Sequence, residues 1–267
     1  MADVTEAEIQ NLTRELVQEV PPDRVDQVEF RGAQFDRGLA LVQFPEGLGG
    51  LGLSSRRLQT VVDGELRAAG VTYHDLNINP IGIGMGAPVV LTYASDEQKQ
   101  RLLRPMYTGE EVWCQMFSEP GAGSDVAGLS SRAVRDGDEW IVNGQKVWIS
   151  RIEHSDLMVL LARTTPKEET NKKTEGLSAF IVDVGKAVGN GLEIRPIDSM
   201  INHHSCELFF DDLKIPRENL LGVEGQGFKV ILDGMNAERI LIAAECVGDG
   251  RYFIDKASRY ATDRVVF

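Results

Sequence analysis

The apolar residues of this chain change their spacing twice, and that restricts the fold more than any other feature of the sequence. Up to about residue 110 they recur every three to four positions. Near Val112 the spacing becomes that of strands, and after Gly222-Val-Glu-Gly-Gln-Gly227 it returns to helical. Side chains repeat on one face every 3.6 residues in a helix and every two in a strand, so the pattern assigns elements before any fold is assumed. Residues 7–20 read as a helix that Val20-Pro21-Pro22 ends. Ser54 can cap a helix carrying Leu58, Val61, Val62 and Leu66. Ser95-Asp96-Glu97-Gln98 has the form of a capping box before Leu102 and Leu103, with Pro105 closing that helix. Residues 77–88, with Gly82, Gly84 and Gly86, suit either a helix of poor propensity or a tight turn.

In the middle region, residues 139–150 carry two aromatic and β-branched runs around Asn143-Gly144, which predicts a hairpin turn at that dipeptide. Residues 156–162, 177–182, 194–197 and 206–210, together with Ile215, read as further short strands. Residues 164–174 hold Lys and Glu but no large apolar side chain, as a solvated loop does. Beyond Gly227, Phe228, Ile231, Leu232, Met235, Ile240, Leu241 and Ala244 form an apolar stripe that Ile254, Ala257, Ala261 and Val265 continue. Such a stripe needs a cover, from partner chains or from residues beyond 267.

With 267 residues the chain can hold more than one core. A net charge of −13 argues against nucleic acid or an anionic membrane as partner. It permits an anionic cofactor, because phosphates are held by local N–H groups and a few basic side chains. Cys114, Cys206 and Cys246 are far apart without metal spacing, as free thiols in a reducing compartment would be. Adjacent His203 and His204 would point to opposite faces of a strand, so they are expected in a loop or interface rather than on one metal. His74 and His154 have no acidic or cysteine partner at ligand spacing, and no metal is expected. The first ten residues lack the features of a signal peptide, and no run approaches about 18 apolar residues. The expected location is cytoplasmic, with no membrane span.

The segment richest in chemistry is Met116-Phe-Ser-Glu-Pro-Gly-Ala-Gly-Ser-Asp-Val-Ala-Gly-Leu129. Its glycines allow a backbone to approach a ligand closely, and its N–H groups and the Ser124 hydroxyl could hold a phosphate or carbonyl oxygen. It is neither a Walker A motif nor a dinucleotide Gly-x-Gly-x-x-Gly, and it could equally be a decorated turn between strands.

Taken whole, this segment resembles the signature of the acyl-CoA dehydrogenase family. So does Trp140-Ile-Val-Asn-Gly-Gln-Lys-Val-Trp-Ile-Ser150 downstream. Glu207-Leu-Phe-Phe-Asp-Asp-Leu-Lys-Ile-Pro216, Gly222-x-x-Gly-x-Gly-Phe228 and Glu238-Arg239 fall in the family's order. The resemblance implies an α+β chain with an all-helical N-terminal domain (1–112), a β-barrel-like middle domain (113–221) and the start of a C-terminal helical bundle (222–267). It further implies bound FAD, an acyl-CoA substrate, an electron-transfer flavoprotein as acceptor, and a homotetramer or a hetero-oligomer.

Residue by residue, the resemblance puts Gln115, Phe117 and Ser118 along the isoalloxazine ring and Gly123 and Ser124 near the pyrophosphate and the phosphopantetheine. Trp148 would pack on the flavin, with Ile149 beside it and the Ser150 hydroxyl at the N5 region. Arg264 and Phe267 match an Arg-x-x-Phe motif whose arginine reaches the FAD of a neighbouring subunit. The catalytic base in most relatives lies beyond this chain's last residue; in a minority it stands immediately before an arginine, which is where Glu238 stands. Met235 and Asn236 would then lie along the acyl or pantetheine channel and Arg239 near the CoA end or the interface. Read from the residues alone, Trp148 could be a core aromatic, Ser150 a strand-end cap and Glu238 a salt-bridged interface residue. The chain departs from the family after Ser150, where Arg-Ile-Glu-His154 replaces a small, often glycine-rich turn. Other readings are a noncatalytic partner subunit, an oxidase-like member, or a flavoprotein of different chemistry.

Overall fold

The computed structural model describes residues 4–55, 57–71, 79–200 and 204–267. His74, Asn202 and His203 lie outside the described residues, as do residues 77 and 78 of the glycine-rich stretch.

Helix α1 (Glu6–Glu19) begins in a capping box, with Glu8 N donating to the Thr5 hydroxyl and Thr5 N to the Glu8 carboxylate, and it stops before the two prolines. Helices α2 (Gln27–Asp36) and α3 (Arg57–Ala68) join it around Ile9, Leu16, Phe30, Leu58, Val62 and Leu66. The glycine-rich stretch is helical but wound wide: a π-helical turn at Gly82–Gly86 runs straight into α4 (Ala87–Tyr93). The buried Asn79 amide fixes this turn. It donates to the Met106 and Glu111 carbonyls (2.9 and 2.8 Å) and accepts from Trp113 N (2.9 Å) and Gly82 N (3.2 Å), so both donors and the acceptor are used.

The Ser95 capping box opens α5 (Asp96–Thr108), but Pro105 does not close it. The helix runs on to Gly109, whose φ of 87° ends it in the left-handed region. Burial of Leu102, Leu103, Met106 and Tyr107 on both sides of the proline offsets the one backbone bond it removes.

The strands are β1 (Trp113–Met116), β2 (Arg132–Asp136), β3 (Glu139–Ser150), β4 (Leu157–Arg163), β5 (Leu177–Asp183), β6 (Leu192–Pro196), β7 (Ser205–Pro216) and β8 (Leu220–Leu221). A single turn of helix, α6 (Val184–Ala187), follows β5. They form one sheet in the order β6-β7-β3-β2-β4-β5-β8, with β1 parallel to β4.

The sheet is not closed, which corrects the expected barrel-like middle domain. Among the described residues β6 pairs only with β7, and β8 only with β5, through two residue pairs. The physical reason lies in β4 and β5. All seven residues of β4 are buried, and the first six alternate between two cores. Met158, Leu160 and Ala162 share one buried cluster with Trp140, Phe180 and Leu208 of the other strands. Leu157, Val159 and Leu161 meet Val90, Met106 and Ile231 of the helices. A strand apolar on both faces needs cover on both, and here helices cover the second.

The expected hairpin at Asn143-Gly144 is also corrected. β3 passes through that dipeptide as one continuous strand, bulged against β7. Asn143 exchanges hydrogen bonds with Asp212 at 2.9 Å, and a Cβ at Gly144 would overlap Ser131, so the glycine serves close approach rather than reversal. The two-residue turn is at Gly137-Asp138, where Gly137 has φ 60° and Asp136 pairs with Glu139.

The last element is α7 (Gly227–Asp263), about 55 Å long at about 1.5 Å per residue. Val230, Ile231 and Gly234 are buried, while the large apolar residues from Ile240 onward are exposed. No helix among the described residues is long and apolar enough to cross a membrane.

Candidate active site

The site begins where β3 departs from β7. Their ladder reaches Lys146 and resumes at Ile149; between them Val147 N turns away and donates to Ser118 O at 3.0 Å. Trp148 then takes φ 61°, a conformation that costs a bulky residue about 1–3 kcal/mol and is held only when its surroundings enforce it. The residue is 62% exposed, whereas Trp113 and Trp140 are almost completely buried. The reading of Trp148 as a core aromatic therefore fails.

Opposite it, the chain continues past β1 into Phe117-Ser118-Glu119. A buried ion pair joins the two segments. Lys146 Nζ lies 2.9 Å from Glu119 Oε1 and donates to the Phe117 carbonyl at 3.1 Å. Glu119 also accepts from Ser130 N (2.7 Å), the Ser130 hydroxyl (2.8 Å) and Ser131 N (3.0 Å). Burial pushes the Glu119 carboxyl up, but the Lys146 charge and these donors outweigh it and hold the group down at about 2. Burial lowers Lys146, against the pull of Glu119, to about 8. Both groups are therefore ionised at neutral pH.

Nine of the residues singled out in the sequence line one cavity of about 330 Å³: Gln115, Phe117, Ser118, Gly123, Trp148, Ile149, Ser150, Met235 and Glu238. Ile81, Met85 and Val126 complete it. An adjoining apolar pocket of about 20 Å³ shares Ile81, Met85, Gln115, Phe117 and Met235 and adds Val89, Val159 and Ile231. The hydroxyls of Ser118 and Ser150 and the amide of Gln115 have no hydrogen-bond partner among the described residues. Trp113 Nε1, bordering the smaller pocket, is buried without one.

The opposite side is helical. A Cβ at Gly227 would press on the Ser178–Ala179 backbone, so only glycine lets α7 start against β5, where Gly225 N also donates to the Ser178 hydroxyl at 2.9 Å. A Cβ at Gly234 would stand 3.0 Å from the Met85 carbonyl oxygen. Tyr93 donates to Asp233 at 2.6 Å; burial, then that hydrogen bond and charge, push its hydroxyl up to about 12. These contacts bring Met235 and the half-buried Glu238 to the cavity. Glu238 makes no ion pair among the described residues.

Five expected residues do not line the cavity. Ser124 is exposed on the turn beside Gly123. Asn236 and Arg239 are exposed and bonded to each other at 2.7 Å. Arg264 caps α7, about 39 Å along the axis from Glu238, and Phe267 lies beyond it. After Ser150, Arg151 takes φ 66° and the His154 ring meets that of His204 edge-on at 5.2 Å, away from the cavity lining. Among the described residues no group of three or more His, Cys, Asp or Glu could hold a metal ion.

The comparisons with known proteins fit this architecture. The chain matches the family descriptions "Acyl-CoA dehydrogenase, N-terminal domain" over residues 3–110, "middle domain" over 114–213 and "C-terminal domain" over 225–267. It belongs to the acyl-CoA dehydrogenase family. Acyl-CoA dehydrogenase FadE26 of Mycobacterium tuberculosis is 34% identical over 79% of this chain and 51% of its own length. The short-chain specific mitochondrial enzyme of Mus musculus is 32% identical over 86% of this chain and 54% of its own length. The crystal structure of an acyl-CoA dehydrogenase from Geobacillus kaustophilus superposes with a TM-score of 0.71 at 29% identity, covering 98% of this chain and 70% of that one. The chain thus spans about half the length of the curated relatives it matches.

Proposed function

We propose that this chain belongs to an FAD-dependent enzyme that converts an acyl-CoA thioester to its trans-2-enoyl-CoA. The observation that carries the reading is one cavity that joins unpaired hydroxyls at Ser118 and Ser150, the exposed face of Trp148 and the Glu238 carboxylate. Family membership supports an FAD-binding fold, and the donor set suits the ring. A flat heteroaromatic group with carbonyl and nitrogen acceptors needs donors on its edge and apolar surface on its face, which these residues offer. When bound, FAD supplies the acceptor for the hydride that leaves the substrate Cβ.

The chain's own residues supply the rest. Glu238 takes the Cα proton. It does so from a half-buried position in the cavity that Met85 and Met235 also line. Ser118 and Ser150 donate hydrogen bonds to the ring edge, and Trp148 shields that side from water. Ser124, Asn236 and Arg239, exposed next in sequence to cavity-lining Gly123, Met235 and Glu238, would meet the CoA portion. Arg264 with Phe267 would serve the cofactor of a neighbouring subunit in a homotetramer. An electron-transfer flavoprotein would take the electrons onward, in the cytoplasm.

Anaerobic titration of the purified protein with a panel of acyl-CoA thioesters, followed by visible flavin absorbance, tests this directly. Bleaching by one class supports the reaction and defines its substrates. A yellow protein that none of them bleaches points instead to a partner subunit or a divergent substrate.

A further inference from the structure

The strand side of the cavity rests on a charge pair that the proposed chemistry does not use. Lys146 is completely buried and Glu119 nearly so. Taking two charges out of water costs about as much as their attraction returns, so such a pair is a poor device for stability alone. Its geometry indicates another purpose. The ammonium binds the Glu119 carboxylate and the Phe117 carbonyl together, and the next residue, Val147, binds the Ser118 carbonyl. Residues 117, 118 and 119 are thus held one after another by 146 and 147, at the point where Lys146 is the last residue of β3 paired with β7 before the ladder breaks. Phe117 and Ser118 lie on one side of this junction, and Trp148, Ile149 and Ser150 on the other. All five line the cavity, and neither Lys146 nor Glu119 does.

We propose that Lys146 and Glu119 are positioning residues that set the separation of these two segments and hence the strand-side surface that would meet a flavin ring. The inference rests on reading the cavity as the FAD site. Removing both charges keeps a lone one from being buried, so the test is the double variant Lys146→Met/Glu119→Gln. A milder variant, Ser130→Ala, deletes one hydroxyl donor to Glu119. The control, Leu192→Ala, weakens the buried cluster inside the sheet without touching the cavity. Three quantities are read: the FAD dissociation constant, the absorption spectrum of bound FAD, and the melting temperature without FAD.

The double variant is expected to bind FAD about tenfold more weakly, with a spectrum shifted toward free FAD. Ser130→Ala should fall between it and the wild type. Leu192→Ala should lose melting temperature while keeping affinity and spectrum. Wild-type affinity and spectrum in the double variant would overturn the proposal, as would a loss of affinity in Leu192→Ala that matches its own. If the double variant does not fold, Ser130→Ala decides, and unchanged binding and spectrum in it reject the idea. A wild-type protein that binds no FAD removes the cofactor reading and this inference with it, a result distinct from wild-type binding that the variants leave unaltered.

Discussion

On one side of the cavity, Phe117, Ser118, Trp148 and Ser150 stand where charge and hydrogen bonds hold them: Lys146 on Glu119, Val147 on Ser118, Ser130 and Ser131 on the same carboxylate. On the other, Met85, Met235 and Glu238 stand where shape holds them, with glycines at 227 and 234 letting α7 lie close to β5 and to the π-helical turn. The difference teaches what each side can tolerate. Directional bonds fix orientation and fail when a partner is lost; close packing fixes distance and fails when volume is added.

That contrast can be broken at several points. The largest effect is expected at Glu238→Gln, which should keep FAD bound while slowing flavin reduction by acyl-CoA about 10²- to 10⁴-fold. Rapid reduction in that variant would move the base elsewhere. Gly234→Val adds volume against the Met85 carbonyl and Val89 and should cost about 1–3 kcal/mol in denaturant unfolding. The spectrum of bound flavin, set by the strand side, should stay the same; a shifted spectrum would show that the two sides are not independent.

The third test uses pH. The folded-state pKa of Glu119, about 2, lies below its ordinary value of 4.5. The stability this group lends is therefore complete above about pH 4.5 and is lost as pH falls toward 2. Between pH 5 and pH 3 the wild-type melting temperature should fall more steeply than that of Lys146→Met/Glu119→Gln. Parallel curves would mean that the pair does not titrate as described. The smallest effect is expected at Tyr93→Phe, which removes the hydrogen bond to Asp233 and should cost about 0.5–1.5 kcal/mol. Unchanged global stability would show that the Tyr93 hydrogen bond does not hold the helical side.

Much of this was legible in the sequence, for identifiable reasons. The twofold change of period separated helices from strands because long amphipathic segments carry that signal redundantly, and the resemblance brought nine scattered residues to one cavity. Closure of the sheet was not legible: β4 and β5 read as apolar strands, but only the structure shows that helices cover their second face. Asn143-Gly144 misled because the same dipeptide serves a turn and a bulge, and the deciding contact, Ser131 against Gly144, comes from the residue just before β2. Pro105 misled because tertiary burial outweighed a local break. The Lys146–Glu119 pair had a signal that went unused. Counting by two from Trp140 and Val142, both buried, puts Lys146 on the inward face of β3, where a lysine demands a partner.

The unbroken length of α7 has a consequence of its own. A helix that carries Glu238 near one end and Arg264 at the other couples them by rotational phase as well as by distance. Deleting one residue within the exposed stretch would leave the cavity untouched, shorten the rod by only about 1.5 Å and turn everything beyond the deletion by about 100°. Arg264 would then address a different direction altogether. In this half of the helix single substitutions are geometrically mild, and changes in residue number are severe.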